Sequence, residues 1–141
     1  MSSLGGGAVG IDTAIVIYFI EEHPKFLPMI LPLFREADQG KRDLITSAVT
    51  LLEVLVVPYR AGNRVLADRY EALLTRSRGI RLVDMTRDQL RAAAQLRAAT
   101  GVRMPDALQL AAAMGSGCTT LVTNDRRMPA IPGLRVLQLG A

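Results

Sequence analysis

Four of the thirteen acidic residues stand where an anion is hardest to explain. Asp12 is the single carboxylate in AVGIDTAIVIYFI, residues 8–20, and an unpaired charge is costly to bury in such company. Glu53 lies in SAVTLLEVLVVP, a helical stretch apolar on nearly every side, which has no local use for an anion. Asp106 opens MPDALQLAAAM, and Asp125 ends TTLVTND. Carboxylates gathered at one point repel unless a cation neutralises them. In a chain with one His and one Cys, an all-oxygen donor set favours Mg²⁺ or Mn²⁺. Taken singly, three of the four have plain readings. Asp12 can cap a helix, Asp106 suits a helix N-terminus, and Asp125 can shape a turn. The set of four carries more weight than any member.

These residues need elements to position them. Ala8–Ile11 reads as a short buried strand, with a helix from Thr13 to near His23 and Pro24. Residues 25–39 keep helical spacing through Pro28 and Pro32, so a broken or kinked helix is expected there. Leu44–Ser47 is a second strand, with Ser47 expected to cap a helix over 48–57. Asn63 opens the next helix, which carries Leu66, Tyr70, Leu73 and Leu74 on one face and closes at Gly79. Strand 81–83 follows. Thr86 and Gln89 then form a capping box for a helix ended by Gly101. Pro105 fits the first turn of a helix stopping near Gly115, before strands at 119–123 and 134–139. Strands alternating with helices predict an α/β fold: a mostly parallel central sheet with helices on both faces. In such a sheet, ligands gather beyond the carboxyl ends of the strands. Asp12 and Asp125 belong there by position, and Glu53 and Asp106 can face the same crevice from helices. Asp84 also follows a strand, but its polar surroundings favour a turn.

Composition bounds the rest. A length of 141 residues, half of them hydrophobic and 21% charged, describes one globular domain with a real core. The formal net charge is +4, with Arg far outnumbering Lys, which permits an anionic partner such as nucleic acid. Cys118 is the only cysteine, so intramolecular disulfides and Cys-rich zinc sites are excluded. The opening Met-Ser-Ser-Leu-Gly-Gly-Gly lacks the features of a secretory leader, and no apolar run is long enough to span a bilayer. A cytoplasmic location without membrane attachment is therefore expected. Gly5, Gly7 and Gly10 spell G-x-G-x-x-G, but no strand precedes them, so a dinucleotide site is not expected. His23 has no Ser, Cys or ligand pattern beside it. Aromatic residues make up 4% of the chain, too few for a base-stacking platform.

The segments GIDTAIVIYFIEEHP, TSAVTLLEVLVVPYRAG, RMPDALQLAAAM and LVTND, in that order and spacing, resemble the PIN-domain family. The likeness is greatest to the VapC-type ribonuclease toxins of toxin–antitoxin pairs. It runs from Val9 to the end, which implies a PIN-like nuclease domain over 8–141 behind a flexible tail at 1–7. The family's acidic positions fall on Asp12, Glu53, Asp106 and Asp125, implying catalytic and metal-holding roles. Thr13 and Asn124 fall where the family places supporting groups. Some relatives carry a further acid after the last Asp, where this chain has Arg126 and Arg127, and that departure speaks against a tightly held second ion. The resemblance implies metal-dependent hydrolysis of RNA phosphodiesters, with Mg²⁺ or Mn²⁺ as cofactor and the general base left open. Arg103, Arg126 and Arg127 are candidate phosphate contacts. A cognate antitoxin and a second copy of the chain are the implied partners, with the apolar residues Phe26, Leu27, Ile30, Phe34 and Tyr59 as candidate contact surface. Two alternatives use the same residues: an enzyme acting on another phosphate substrate, and a catalytically silent module that docks a partner.

Overall fold

The computed structural model describes residues 7–140. The expected tail at 1–7 therefore lies outside the described residues except for Gly7, as does Gly5 of the glycine pattern. The chain runs β1 (Val9–Ile11), α1 (Thr13–Ile20), α2 (Leu27–Asp38), β2 (Leu44–Ser47), α3 (Val49–Arg60), α4 (Arg64–Arg76) and β3 (Ile80–Val83). It continues through α5 (Arg87–Thr100), α6 (Met104–Gly115), β4 (Thr120–Thr123) and β5 (Arg135–Gln138). The five strands form one parallel sheet in the order β3-β2-β1-β4-β5. The expected α/β fold is the one found.

Burial explains why the central strands read as short apolar runs. Every residue of β1, β2 and β4 is buried, as a sheet covered on both faces requires. Strand alternation divides their side chains between two cores. Val9, Ile11, Leu44 and Val122 pack with Ile15, Leu33 and Tyr70 on one face. Ile45 and Leu121 pack with Val49, Leu110 and Ala113 on the other.

Several local expectations hold, and others are corrected. The Asn63 side chain accepts from the Leu66 amide at 3.1 Å, and Thr86 from that of Gln89 at 3.2 Å. Gly101 ends α5 with φ +73°, a left-handed conformation that favours glycine. The capping box is only half formed, because the Gln89 side chain donates instead from Nε2 to the Ala111 carbonyl at 3.2 Å and ties α5 to α6. Ser47 closes β2 and Ala48 occupies the cap of α3, although Ser47 Oγ still accepts from the Val49 amide at 3.3 Å. The α2 helix runs on through Pro32, with Pro28 in the first turn where no N–H is needed. The α3 helix likewise passes Pro58 to end at Arg60. The α1 helix stops early, at Ile20, because Glu22 takes a positive φ of 53°. Beyond it His23 Nδ1 accepts from the Lys25 and Phe26 amides at 3.1 and 3.2 Å, a turn-forming role.

Two features of the topology prepare the site. From β1 the chain moves to β2 on one side and returns to β4 on the other, so strand order reverses between the carboxyl ends of β1 and β4. A crevice opens at such a point. The α6 helix also packs directly over β1, because Gly10 leaves room for it. A Cβ at Gly10 would stand 2.9 Å from Ala113 Cβ and 2.9 Å from a methyl of Leu121. Since Ala113 Cβ cannot rotate away, Gly10→Ala is expected to destabilise the fold by about 1–3 kcal/mol. Urea denaturation checks this; an unchanged midpoint would mean that α6 does not depend on that contact.

Candidate active site

Asp12 is the residue immediately after β1, and the register of the sheet supplies its partner. Ile11 pairs with Val122, which brings Thr123 beside Asp12. The Thr123 hydroxyl donates to Asp12 Oδ2, and the Ile15 amide approaches Oδ1 at 3.4 Å as the cap of α1. Thr123 Oγ1 also accepts from the Asp125 amide at 3.0 Å, so one hydroxyl links two of the acids. Asp12 is only 6% exposed, and among the described residues no basic side chain forms an ion pair with it. Burial pushes its carboxyl up to about 6. The Thr123 and Ile15 hydrogen bonds pull against that rise, while the charges of Asp106 and Asp125 add to it. Asp12 is thus both a helix cap and a buried acid whose charge the protein leaves under-compensated.

Glu53 reaches the same region from α3. Thr13 Oγ1 donates to Glu53 Oε1 at 2.6 Å, joining the first turn of α1 to the middle of α3. The helix is not buried all round as its sequence suggests. Glu53 is half-buried, and Leu52, Val57 and Tyr59 are about two-thirds exposed, at 64%, 65% and 64%. Of the apolar residues expected to form contact surface, Phe26 and Ile30 are instead core, Phe34 is largely buried but also lines a groove with Phe19 and Leu31, Tyr59 is exposed and Leu27 is half-buried.

Behind Thr13 and Glu53 lies a polar network that the sequence reading missed. Gln109, buried on α6, accepts from the Ser47 amide at 3.0 Å and from Thr46 Oγ1 at 3.2 Å. Its Nε2 donates to Thr50 Oγ1 at 2.7 Å and approaches Thr13 Oγ1 at 3.4 Å. Buried polar groups need such partners. The available signal was spacing: Gln109 follows Asp106 by three residues and Thr50 precedes Glu53 by three, which places each pair on one helical face.

Asp106 and Asp125 face a basic partner. Arg103 Nη2 lies 3.3 Å from Asp106 Oδ2 and 3.3 Å from Asp125 Oδ2. Burial raises the Asp106 carboxyl above its ordinary value, with Arg103 opposing and Asp125 reinforcing the shift. Asp125 goes the other way. Burial disfavours its charge, but the Arg127 amide and guanidinium, together with Arg103, outweigh that and hold it low. The Arg127 amide donates to Asp125 Oδ1 at 2.9 Å and its Nε to the same oxygen at 3.2 Å. Arg126 instead reaches the Gly140 carbonyl at 3.2 Å, and Asn124 Nδ2 donates to the Tyr18 hydroxyl at 3.0 Å. Of the three candidate arginines, Arg103 alone lines the cleft.

That cleft, about 260 Å³, is lined by Asp12, Glu53, Asp106 and Asp125 together with Thr13, Arg103 and Gln109. Its donors are oxygens suited to a hard divalent cation, and a positive charge would relieve the raised carboxyls of Asp12 and Asp106. As the side chains stand, no three of the described His, Cys, Asp and Glu residues are gathered closely enough to hold a metal ion. The donor chemistry fits a cation, while Arg103 supplies positive charge to Asp106 and shares with Arg127 the neutralising of Asp125.

A family model described as PIN domain matches residues 9–134. No curated protein matches the sequence significantly. Solved structures share the fold at low identity. VapBC2 from Rickettsia felis, bound to a promoter DNA fragment, gives a TM-score of 0.70 at 20% identity, covering 92% of this chain and 96% of that one. DNA-bound VapBC from Salmonella typhimurium gives 0.62 at 22%, covering 92% and 96%. VapC20 from Mycobacterium tuberculosis, a sarcin–ricin loop cleaving toxin, gives 0.64 at 16%, covering 80% and 86%. Among the described residues, no helix is long and apolar enough to cross a membrane.

The raised carboxyl of Asp12 has a consequence for stability. A carboxyl that holds its proton more tightly folded than unfolded favours the fold at low pH. That contribution is lost as pH rises from the ordinary value of 3.8 through about 6, and the loss is complete above it. The difference amounts to about 3 kcal/mol. Asp12→Asn cannot ionise and can still accept from Thr123. Without divalent ions it is expected to melt roughly 10 °C above wild type at pH 7.5, with the advantage gone near pH 4. Calorimetry across that range checks it; a variant melting lower at every pH would contradict the buried-charge assignment.

Proposed function

The chain belongs to the PIN-domain family, and from that premise we propose that it is a divalent-metal-dependent endoribonuclease, the toxin of a toxin–antitoxin pair. The observation that carries this reading is that four carboxylates line one cleft where the strand order reverses.

On this reading Asp12 and Asp125 would hold a Mg²⁺ or Mn²⁺ ion directly, and Glu53 and Asp106 would complete its surroundings. Such an ion, when bound, polarises a phosphoryl oxygen and makes water a better nucleophile near neutral pH. The chain's own residues do the rest. Thr123 orients Asp12, and the Arg127 amide and guanidinium orient Asp125. Thr13 fixes Glu53 so that its carboxylate faces the cleft as an acceptor for a proton. Gln109 and Thr50 keep Thr13 in place from behind. Arg103, on the cleft wall, offers a guanidinium to a phosphodiester, and Arg126 and Arg127 add positive charge nearby.

The partners follow the same reading. A groove of about 230 Å³ lined by Phe19, Leu31, Phe34 and Leu73, between α1, α2 and α4, suits the apolar face of an antitoxin segment. Pairing with a second copy accords with the exposed apolar residues of α3.

Purified protein is expected to cut RNA in Mg²⁺ or Mn²⁺, to stop in a chelator, and to leave matched DNA and a phosphomonoester intact. Asp12→Asn should lose cleavage by on the order of 100-fold or more while staying folded. Preferred turnover of DNA or the monoester would move the activity to another phosphate substrate. Failure on all three would leave a binding module.

A further inference from the structure

Arg103 is placed differently from a structural arginine such as Arg42. Arg42 is fixed: its Nε donates to Glu36 Oε2 at 2.8 Å, Nη1 donates to the Gly7 carbonyl at 2.7 Å, and its side chain is 4% exposed. Arg103 holds Asp106 and Asp125 through one nitrogen at 3.3 Å each, the long end of the hydrogen-bond range, with its side chain 57% exposed. Its side chain caps nothing. It sits at the N-cap of α6 without a side-chain cap bond, and the backbone alone starts the helix.

Among the described residues, only the two carboxylates therefore hold the Arg103 side chain. Asp125 keeps its orientation without it, because the Arg127 amide, Nε and Nη2 all reach that side chain. Releasing Arg103 returns a mostly solvated group to water, at small desolvation cost. It would leave Asp106, a largely buried acid, without its neutralising charge unless another cation arrived.

We propose that Arg103 is a built-in counter-ion of the metal site, bridging Asp106 and Asp125 in the metal-free chain and displaced when a divalent cation binds. This rests on the metal-dependent reading of the cleft and adds an order of events. The guanidinium and the ion compete for Asp125, a direct ligand on this reading, and for the charge of Asp106 beside it. Displacement turns the fork outward to where a substrate phosphate must approach. The arginine thus guards the acids against mutual repulsion while the cleft lacks metal, and is released when the ion takes over that task.

The test is direct Mn²⁺ binding by calorimetry to metal-free wild type, Arg103→Gln and Arg126→Gln, with circular dichroism confirming the fold of each. Removing a competing contact of this kind is expected to tighten Mn²⁺ binding roughly three- to tenfold in Arg103→Gln. Arg126→Gln removes the same charge outside the cleft and is expected to change binding by less than about twofold. A Mg²⁺ titration of the wild type followed at the Arg103 Nε–H resonance should shift that signal in step with binding. Equal or weaker binding by Arg103→Gln, or equal tightening in Arg126→Gln, would overturn the displacement while leaving the metal site intact. No Mn²⁺ binding by wild type or Arg103→Gln would overturn the metal reading itself.

Discussion

Everything at the cleft depends on one hydrogen bond, from the Thr123 hydroxyl to the buried carboxylate of Asp12. A carboxylate at the end of a fully buried strand is unfavourable unless donors meet it. The parallel register of β1 against β4 supplies one, and the first turn of α1 supplies another. The same hydroxyl takes the Asp125 amide, so sheet register and acid spacing cannot be altered separately. The glycine at position 10 belongs to this constraint. It admits α6 against β1 and so brings Asp106 and Gln109 to the same place.

The electrostatics are asymmetric. Burial raises Asp12 and Asp106, whereas Arg127 and Arg103 hold Asp125 low despite burial. The cleft thus combines one acid held below its ordinary value with two that hold their protons more tightly than usual. Such spreading of acid strengths within one cleft is typical of functional sites. A fold concerned only with stability would gain from replacing Asp12 by a neutral polar residue, so its retention fits a use for the charge.

The sequence was most informative where local and global signals agreed. Short all-apolar runs implied a sheet covered on both faces, and the central strands are buried throughout. Caps at Asn63 and Thr86 could be read because a side chain and the next amides decide them. The four acids were legible as a set because each sat at an element's end or in apolar surroundings, and all four line one cleft. What was not legible depended on tertiary contact. Gln109 carries no signal of its own in the sequence, and only tertiary contact with β2 and α3 brings Ser47 and Thr50 to it. Glu53 looked fully enclosed because an exposed apolar face on α3 reads the same as a buried one. Arg103, Arg126 and Arg127 looked equivalent by proximity, yet side-chain direction separates them: the cleft, the Gly140 carbonyl and the Asp125 carboxylate.

The central claim is that these acids exist to hold a divalent ion, and a crystal structure grown with Mn²⁺ addresses it most directly. An anomalous difference map is expected to show one peak in the cleft, at coordination distance of about 2.1 Å from carboxylate oxygens of Asp12 and Asp125. The Arg103 side chain should have turned away from both of its partners. A cleft without a peak while manganese occupies other sites, with Asp12 still met only by Thr123 and the α1 amide, would contradict it.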